Sequence, residues 1–128
     1  MLRLAMRGLG NPMLVTDAMP PVGGSRSTFT LYGKPIAVHD GRCTTSDGTL
    51  AGSVLDMASA VRNCVRLLGM PLAAALRLAS AAPAGFLGID SRLGRIAPGY
   101  RADLVALDPE PIQVFATWVA GAESATAC

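Results

Sequence analysis

The apolar and polar positions in the first third of the chain predict strands and loops. Met13–Thr16 is a short apolar run between turn-forming residues, which is typical of a strand buried on both faces, as in a parallel sheet. Residues 28–45 contain short alternating stretches of apolar and polar residues, and Asp40-Gly41 among them is a strong hairpin signal. We therefore expect one buried strand followed by several short antiparallel strands.

The middle of the chain has the three- and four-residue apolar spacing of amphipathic helices. From Ser53 to Leu68 the apolar residues form one stripe, and Asp56 three residues after Ser53 resembles a capping box. Pro71 blocks continuation of this helix and is predicted to begin a second one. Pro83 is expected to end the second helix, so two consecutive helices are predicted.

The last third of the chain returns to strand-like patterns. Ala102–Leu107 is mainly apolar, and Ile112–Val119 is β-branched and aromatic with a period of two. Pro109-Glu110-Pro111 between them is predicted to form a turn. The chain is thus expected to end in a small antiparallel arrangement.

Composition narrows the class of protein. The chain has 128 residues, 51% of them hydrophobic and 16% charged, which excludes an intrinsically disordered protein. No apolar run reaches the roughly 20 residues of a membrane span. The net charge of +2 is small and its basic residues are scattered, which argues against a nucleic-acid binder. A complete eight-stranded β/α barrel needs about 250 residues, so only part of one fits this length.

Cysteine and histidine usage favours neither disulfides nor a metal centre. Cys43, Cys64 and Cys128 are an odd number without a paired motif, which predicts three free thiols in a reducing compartment, the cytoplasm. The first residues do not have the pattern of a secretory signal. His39 has no neighbouring ligand at metal spacing, so it is interpreted as an ordinary loop or strand residue.

Two places in the sequence are candidates for chemistry. Asp17 follows an apolar strand and precedes a Pro- and Gly-rich loop, a position where α/β folds place reacting groups. Leu50-Ala51-Gly52-Ser53 precedes a helix, and its small residues would let a ligand approach the backbone. Each place also has a purely structural interpretation. Asp17 could cap a turn, and Leu50–Ser53 could be a tight turn with a cap.

The order of the motifs resembles N-acetylglucosamine-6-phosphate deacetylases, members of the amidohydrolase superfamily. The most specific parts are Leu14–Gly23 (LVTDAMPPVG) and Asp47–Ser53 (DGTLAGS). The tail Gly94–Val105 is a closing motif of the wider superfamily, and it would also suit another member such as a dihydroorotase-like enzyme. The Asp47–Ser53 motif argues against that alternative. Further matching segments are Met57–Asn63, Ala79–Ala84, Leu87-Gly88 and Thr117–Gly121.

The resemblance implies an activity and residue roles. Such enzymes hydrolyse the N-acetyl group of N-acetylglucosamine 6-phosphate, giving glucosamine 6-phosphate and acetate, with a divalent metal, most often zinc. The aspartate matching Asp17 would take a proton from the attacking water and pass it to the leaving amine. The residues matching Leu50, Ala51 and Gly52 would lie against the phosphorylated amino-sugar substrate.

The resemblance also implies a fold and a domain organisation. The fold class is α/β. Residues 1–93 would be the C-terminal part of a metal-dependent-hydrolase β/α barrel, with its last strand, a hairpin insertion and two helices. Residues 94–128 would supply closing strands of a small β-sandwich. A homodimer is implied for the full-length enzyme.

One departure from the family pattern limits what this chain can do. The family's metal ligands are a glutamate and two histidines upstream of the aspartate, and the 16 residues before Asp17 contain neither residue type. We therefore expect this chain to be a C-terminal fragment without metal ligands that is inactive alone. Two alternatives stay open. The chain could be a non-catalytic module, or one half of a split amidohydrolase completed by an upstream-encoded chain.

Overall fold

A computed structural model describes Met6, Gly8 and residues 10–124 of the chain. Cys128, one of the predicted free thiols, lies outside the described residues. The contacts divide the chain into two compact units. Val15–Ala60 is called the hairpin unit, and Met1–Leu14 with Val61–Cys128 is called the helix–tail unit. The predicted domain boundary at residue 93 is a different division and stays a prediction.

The hairpin unit contains one antiparallel sheet in which each strand pairs with the next along the chain. The turns Tyr32-Gly33 and Asp40-Gly41 join the first three strands, and all four turn residues have positive φ. This conformation matches the twist of the paired strands, which confirms the predicted hairpin at Asp40-Gly41. The strands are β1 (Thr28–Leu31), β2 (Lys34–His39), β3 (Arg42–Thr44) and β4 (Leu50–Ser53).

Strand β4 corrects the predicted start of the first helix. The residues expected to lead directly into a helix instead pair with β3, with Cys43 opposite Gly52. Helix α1 runs from Met57 to Leu68, four residues later than predicted. Asp56 is its cap, because one Asp56 carboxylate oxygen accepts a hydrogen bond of 2.7 Å from the Ser59 amide. The predicted capping by Ser53 is therefore wrong.

The helix–tail unit contains the rest of α1, two further helices and a second antiparallel sheet. Helix α2 spans Leu72–Ala79 and α3 spans Ala81–Phe86, so the break falls before Pro83 rather than at it. The reason is steric, since a proline inside a helix clashes with the carbonyl four residues earlier. Pro83 is accommodated in the first turn of α3. The second sheet has the order β5 (Leu104–Asp108), β6 (Gln113–Val119) and β7 (Ala122–Ser124).

The core of the helix–tail unit joins α1, α2 and the residue that precedes β6. Its buried members are Val61, Cys64, Ala75 and Ile112. Arg62 reinforces this contact, because its guanidinium donates a hydrogen bond of 2.6 Å to the Ile112 carbonyl. In the described part of the chain, no helix is long and apolar enough to cross a membrane.

The predicted buried strand at Met13–Thr16 is not found. Within the helix–tail unit, the Leu14 amide donates to the Leu78 carbonyl at 2.9 Å, a single bond to a helix rather than a ladder. Within the hairpin unit, Val15 is 73% exposed. An apolar run becomes a strand only when another strand pairs with its backbone, and the described residues place none beside it.

Candidate functional site

Strand β4 fixes the backbone of Asp17. The Ser53 amide donates to the Asp17 carbonyl at 2.9 Å, and the Met19 amide donates to the Ser53 carbonyl at 2.8 Å. These two bonds form a short parallel bridge between Ala18 and Ser53. The two motifs that are most specific in the sequence therefore meet along the free edge of β4, within the hairpin unit.

The Ser53 side chain adds two further bonds at the same place. Its hydroxyl donates to the Thr16 carbonyl at 2.6 Å and accepts from the Leu55 amide at 3.0 Å. Asp17 itself has a φ of 51°, in the left-handed region that residues with a side chain rarely adopt. Backbone strain of this kind persists only where surrounding contacts hold it, and it is common at functional sites.

Gly52 allows this close approach of the two segments. A Cβ atom at Gly52 would lie 2.7 Å from Met19 Cγ, 2.8 Å from Met19 Cε and 2.9 Å from the Asp17 carbonyl oxygen. The φ of Gly52 is 130°, which is available essentially to glycine alone. A side chain at this position would therefore push the Asp17 segment away from β4.

The other two predicted substrate-binding residues lie on the same strand. Leu50 is 65% exposed and pairs with Thr44, and Ala51 is half-buried. Gly52 contacts the Asp17 segment directly. Leu50 lies two positions along the strand, roughly 7 Å away at the usual rise per residue. Asp17 is exposed, so its carboxylate is accessible beside this strand.

The Asp47-Gly48-Thr49 part of the matched motif builds the turn that begins β4. The Asp47 carboxylate accepts a hydrogen bond from the Thr45 hydroxyl and another, of 3.1 Å, from the Thr49 amide. These two bonds, in that order of importance, hold the pKa of Asp47 below its usual value. Gly48 has a φ of 84°, as the turn requires. This part of the motif therefore has a structural role, because it forms the turn from which β4 begins.

Cys43 lies opposite Gly52 in the neighbouring strand. It is fully buried in β3 and pairs with Gly52 across the sheet. Burial and, secondarily, the negative charge of Asp17 raise the pKa of the Cys43 thiol. The thiol is therefore neutral and unreactive near neutral pH. Sequence reasoning missed the roles of Met19 and Ser53, because no local pattern marks residues that meet across 30 or more positions.

The described residues do not fit a complete metal site. Among them, no group of three or more His, Cys, Asp or Glu side chains could hold a metal ion. His39, exposed at the end of β2, has its Nδ1 atom 3.1 Å from a carboxylate oxygen of Asp40. A site with two histidines cannot be built from this chain, because His39 is its single histidine.

The superfamily tail motif has a structural role in the helix–tail unit. The Asp103 carboxylate accepts hydrogen bonds from Arg101 Nε at 2.9 Å and from the Ala120 amide at 2.8 Å. The Arg101 bond first, and the Ala120 bond second, lower the pKa of Asp103. The Tyr100 hydroxyl donates to the Asp90 carbonyl at 2.8 Å. These contacts fix the segment before β5 and tie it to the turn between β6 and β7.

The comparisons with known proteins identify the family. Residues 35–126 match the sequence model of the Amidohydrolase family, and the chain belongs to that family. The N-acetylgalactosamine-6-phosphate deacetylase of Escherichia coli O157:H7 is 43% identical over 109 residues, or 85% of this chain. The N-acetylglucosamine-6-phosphate deacetylase of Haemophilus influenzae is 36% identical over 110 residues, or 84% of this chain. The predicted resemblance to these deacetylases is confirmed.

A solved structure extends the similarity to the fold. The crystal structure of N-acetylglucosamine-6-phosphate deacetylase from Pasteurella multocida superimposes on 98% of this chain, with a TM-score of 0.91 and 36% identity. The chain spans 29% of the length of each of the two curated relatives and 33% of the solved chain. It therefore corresponds to about one third of such an enzyme.

Proposed function

We propose that this chain takes part in hydrolysing the acetamide group of an N-acetylhexosamine 6-phosphate, with Asp17 as the reacting carboxylate. The observation that carries the proposal is the backbone pairing of the Asp17 segment with β4. Two backbone hydrogen bonds of 2.8 and 2.9 Å fix the segment, while the Asp17 side chain is left exposed. The deacetylase names of the relatives supply the reaction class.

Asp17 would act twice in this reaction. In the first step its carboxylate accepts a proton from water while the water oxygen bonds to the acetyl carbon. In the second step the same proton passes to the amine nitrogen as the C–N bond breaks, which releases acetate and the free amino sugar. Amines leave poorly unless they are protonated, so one carboxylate serves both steps.

Strand β4 would provide a surface for the sugar. Ala51 and Gly52 carry little or no side chain, so a ligand can approach their backbone closely. The Leu50 side chain is mainly exposed and offers an apolar contact for one face of a pyranose ring. We assign substrate contact to Leu50, Ala51 and Gly52 on this basis.

The divalent metal that the family implies, zinc being the first candidate, does not fit the residues present. A ligand set of one glutamate and two histidines would have to come from another polypeptide segment, since His39 is the single histidine. The proposal therefore makes the catalytic unit a complex or a longer chain, and homodimerisation of that unit stays a prediction.

The finer architecture follows from the same proposal. Residues 13–17 would become the last strand of a β/α barrel once a neighbouring strand pairs with them. Residues 1–93 would then form the barrel portion, and residues 94–128 would contribute β5, β6 and β7 to a small β-sandwich. A reducing, cytoplasmic compartment suits the two free cysteines among the described residues, Cys43 and Cys64.

The similarity to two relatives supports a second candidate substrate. Relatives named N-acetylgalactosamine-6-phosphate deacetylase are 43% and 41% identical to this chain, and those named for N-acetylglucosamine 6-phosphate are 36% and 37% identical. The two sugars differ in configuration at C4. Both substrates therefore belong in the assay.

The test is reconstitution of the deacetylase from two polypeptides. The 128-residue chain is co-expressed with the segment of the E. coli O157:H7 relative that precedes its matched region, and acetate release is measured with each sugar phosphate and added zinc. We expect activity only from the pair. Asp17→Asn, which keeps the shape and loses the base, should lower activity about 10²- to 10⁴-fold.

The outcomes separate the three interpretations of the chain. Activity from the chain alone would contradict the assignment of the metal ligands to another segment. An active pair that is insensitive to Asp17→Asn would remove Asp17 from catalysis. A pair that associates but releases no acetate would favour a non-catalytic module.

A further inference from the structure

We propose that Ser53 is a positioning residue that holds Asp17 in its reactive conformation. The inference rests on the proposed role of Asp17, and it goes beyond the residues assigned above to reaction and substrate contact. Ser53 makes four hydrogen bonds, to Thr16, Asp17, Met19 and Leu55, with distances between 2.6 and 3.0 Å. These partners include every residue from Thr16 to Met19 except Ala18, which forms the parallel bridge.

The hydroxyl group is the part of this anchor that depends on the side chain of Ser53. Any residue except proline could make the two backbone bonds to Asp17 and Met19 at this position. The hydroxyl alone reaches the Thr16 carbonyl, at 2.6 Å, from a position 37 residues away in the sequence. It is also fixed from the other side by the Leu55 amide, at 3.0 Å, so its direction is set.

The conformation of Asp17 explains why this anchor matters. A φ of 51° is uncommon for residues with a Cβ atom, although aspartate adopts it more readily than most, so Asp17 would also sample other backbone regions if its neighbours released it. The Thr16 carbonyl belongs to the peptide unit that defines this φ angle. Holding that carbonyl therefore fixes the direction in which the Asp17 side chain leaves the backbone.

A local capping role does not account for the same contacts. The bond from Leu55 to the Ser53 hydroxyl is local, spanning two residues, and a simple turn would need no more. The donation to Thr16 does not cap the following helix, because Asp56 is the cap of that helix. The long-range bond is therefore directed at the Asp17 segment.

The first test measures geometry in the 128-residue chain and does not depend on activity. NMR measures the intraresidue Hα–HN contact of Asp17, which is short only at positive φ, in the native chain and in Ser53→Ala and Ser53→Thr. We expect Ser53→Ala to lose the short contact and to speed hydrogen exchange of the Leu55 amide. Ser53→Thr keeps the hydroxyl and should retain both features.

A folding control keeps this test decisive. Exchange protection of the Ile36 and Cys43 amides reports whether the sheet is intact. If Ser53→Ala loses that protection, Ser53→Cys takes its place, because a thiol has nearly the same volume but donates weakly. An unchanged Asp17 contact in a folded Ala or Cys variant, or a Thr variant that behaves like Ala, would overturn the proposal.

The second test uses the reconstituted pair described above. Misplacing a catalytic group by about 1 Å costs about a hundredfold in rate, so kcat should fall about 10- to 100-fold in Ser53→Ala. KM should stay within about twofold, since β4 is retained, and Ser53→Thr should restore kcat. An inactive native pair would contradict the proposed function and leave the NMR result to decide on Ser53.

Discussion

A methyl group at Gly52 should separate the Asp17 segment from β4. In Gly52→Ala, the added Cβ atom would meet Met19 Cγ at 2.7 Å and the Asp17 carbonyl oxygen at 2.9 Å. Overpacking of this kind costs about 1–3 kcal/mol. The φ of 130° adds about 1–3 kcal/mol, because alanine is strained there. The hairpin unit should therefore be destabilised by about 2–6 kcal/mol.

Cys43 offers a direct assay for this effect, since it pairs with Gly52 and is fully buried. Labelling of its thiol, in a background where Cys64 and Cys128 are serine, measures how often the hairpin unit opens. At about 1.4 kcal/mol per factor of ten, labelling should speed up at least about 25-fold. Met19→Ala in the Gly52→Ala background should recover part of the loss, because two of the three close contacts belong to Met19.

Gly85→Ala is the matched control. A Cβ atom at Gly85 meets nothing within 4 Å, and the residue lies inside α3. Alanine is favoured there by about 0.5–1 kcal/mol, so labelling of Cys43 should not accelerate. If Gly52→Ala labels Cys43 at the native rate, the close approach of Asp17 and β4 is refuted.

Three further predictions concern the framework of the chain. The depressed pKa of Asp103 means that its bond to Arg101 stabilises the fold above the ordinary aspartate pKa, near 3.9, and is lost as the pH falls through the lower folded value. Asp103→Asn should therefore flatten the dependence of the urea midpoint on pH below about 4, and an unchanged slope would contradict this. Gly94→Ala would place a Cβ atom 2.7 Å from Ala84 Cβ at a φ of 86°, and should cost about 2–4 kcal/mol in urea unfolding followed by Trp118 fluorescence. Asp56→Ala removes the α1 cap and should cost about 1 kcal/mol in thermal unfolding, whereas Asp56→Ser should retain most of the stability.

Elements with local signals were predictable from the sequence. Asp40-Gly41 adopts positive φ at both turn positions, so the turn chemistry alone determines the hairpin between β2 and β3. The helical stripe from Val54 to Leu68 correctly predicted α1, although its first turn lies later. Asp56 and Ser53 both suit a cap, and the choice between them depends on what else Ser53 binds.

Elements defined by pairing were not predictable in the same way. Leu50–Ser53 contains alanine and glycine, which have little strand preference, and it becomes β4 only because β3 lies beside it. Met13–Thr16 is the opposite case. Its composition favours a strand, but strands require a partner, and the described residues provide none. Local strand propensity is therefore wrong in both cases: it misses β4, and it predicts a strand at Met13–Thr16 that does not form.

The difference between local signals and long-range contacts also explains what the structure adds to the two sequence motifs. In the sequence, Leu14–Gly23 and Asp47–Ser53 are two separate signatures of one family. In the structure the two motifs are in contact. Ser53 forms hydrogen bonds to Thr16 and Met19, on either side of Asp17, and Gly52 leaves room for that contact. Gly52 and Ser53 therefore contact the Asp17 segment in addition to pairing with β3. Substitutions at Gly52 and Ser53 should consequently be non-additive with Asp17→Asn in the reconstituted pair, because each acts through the placement of that carboxylate.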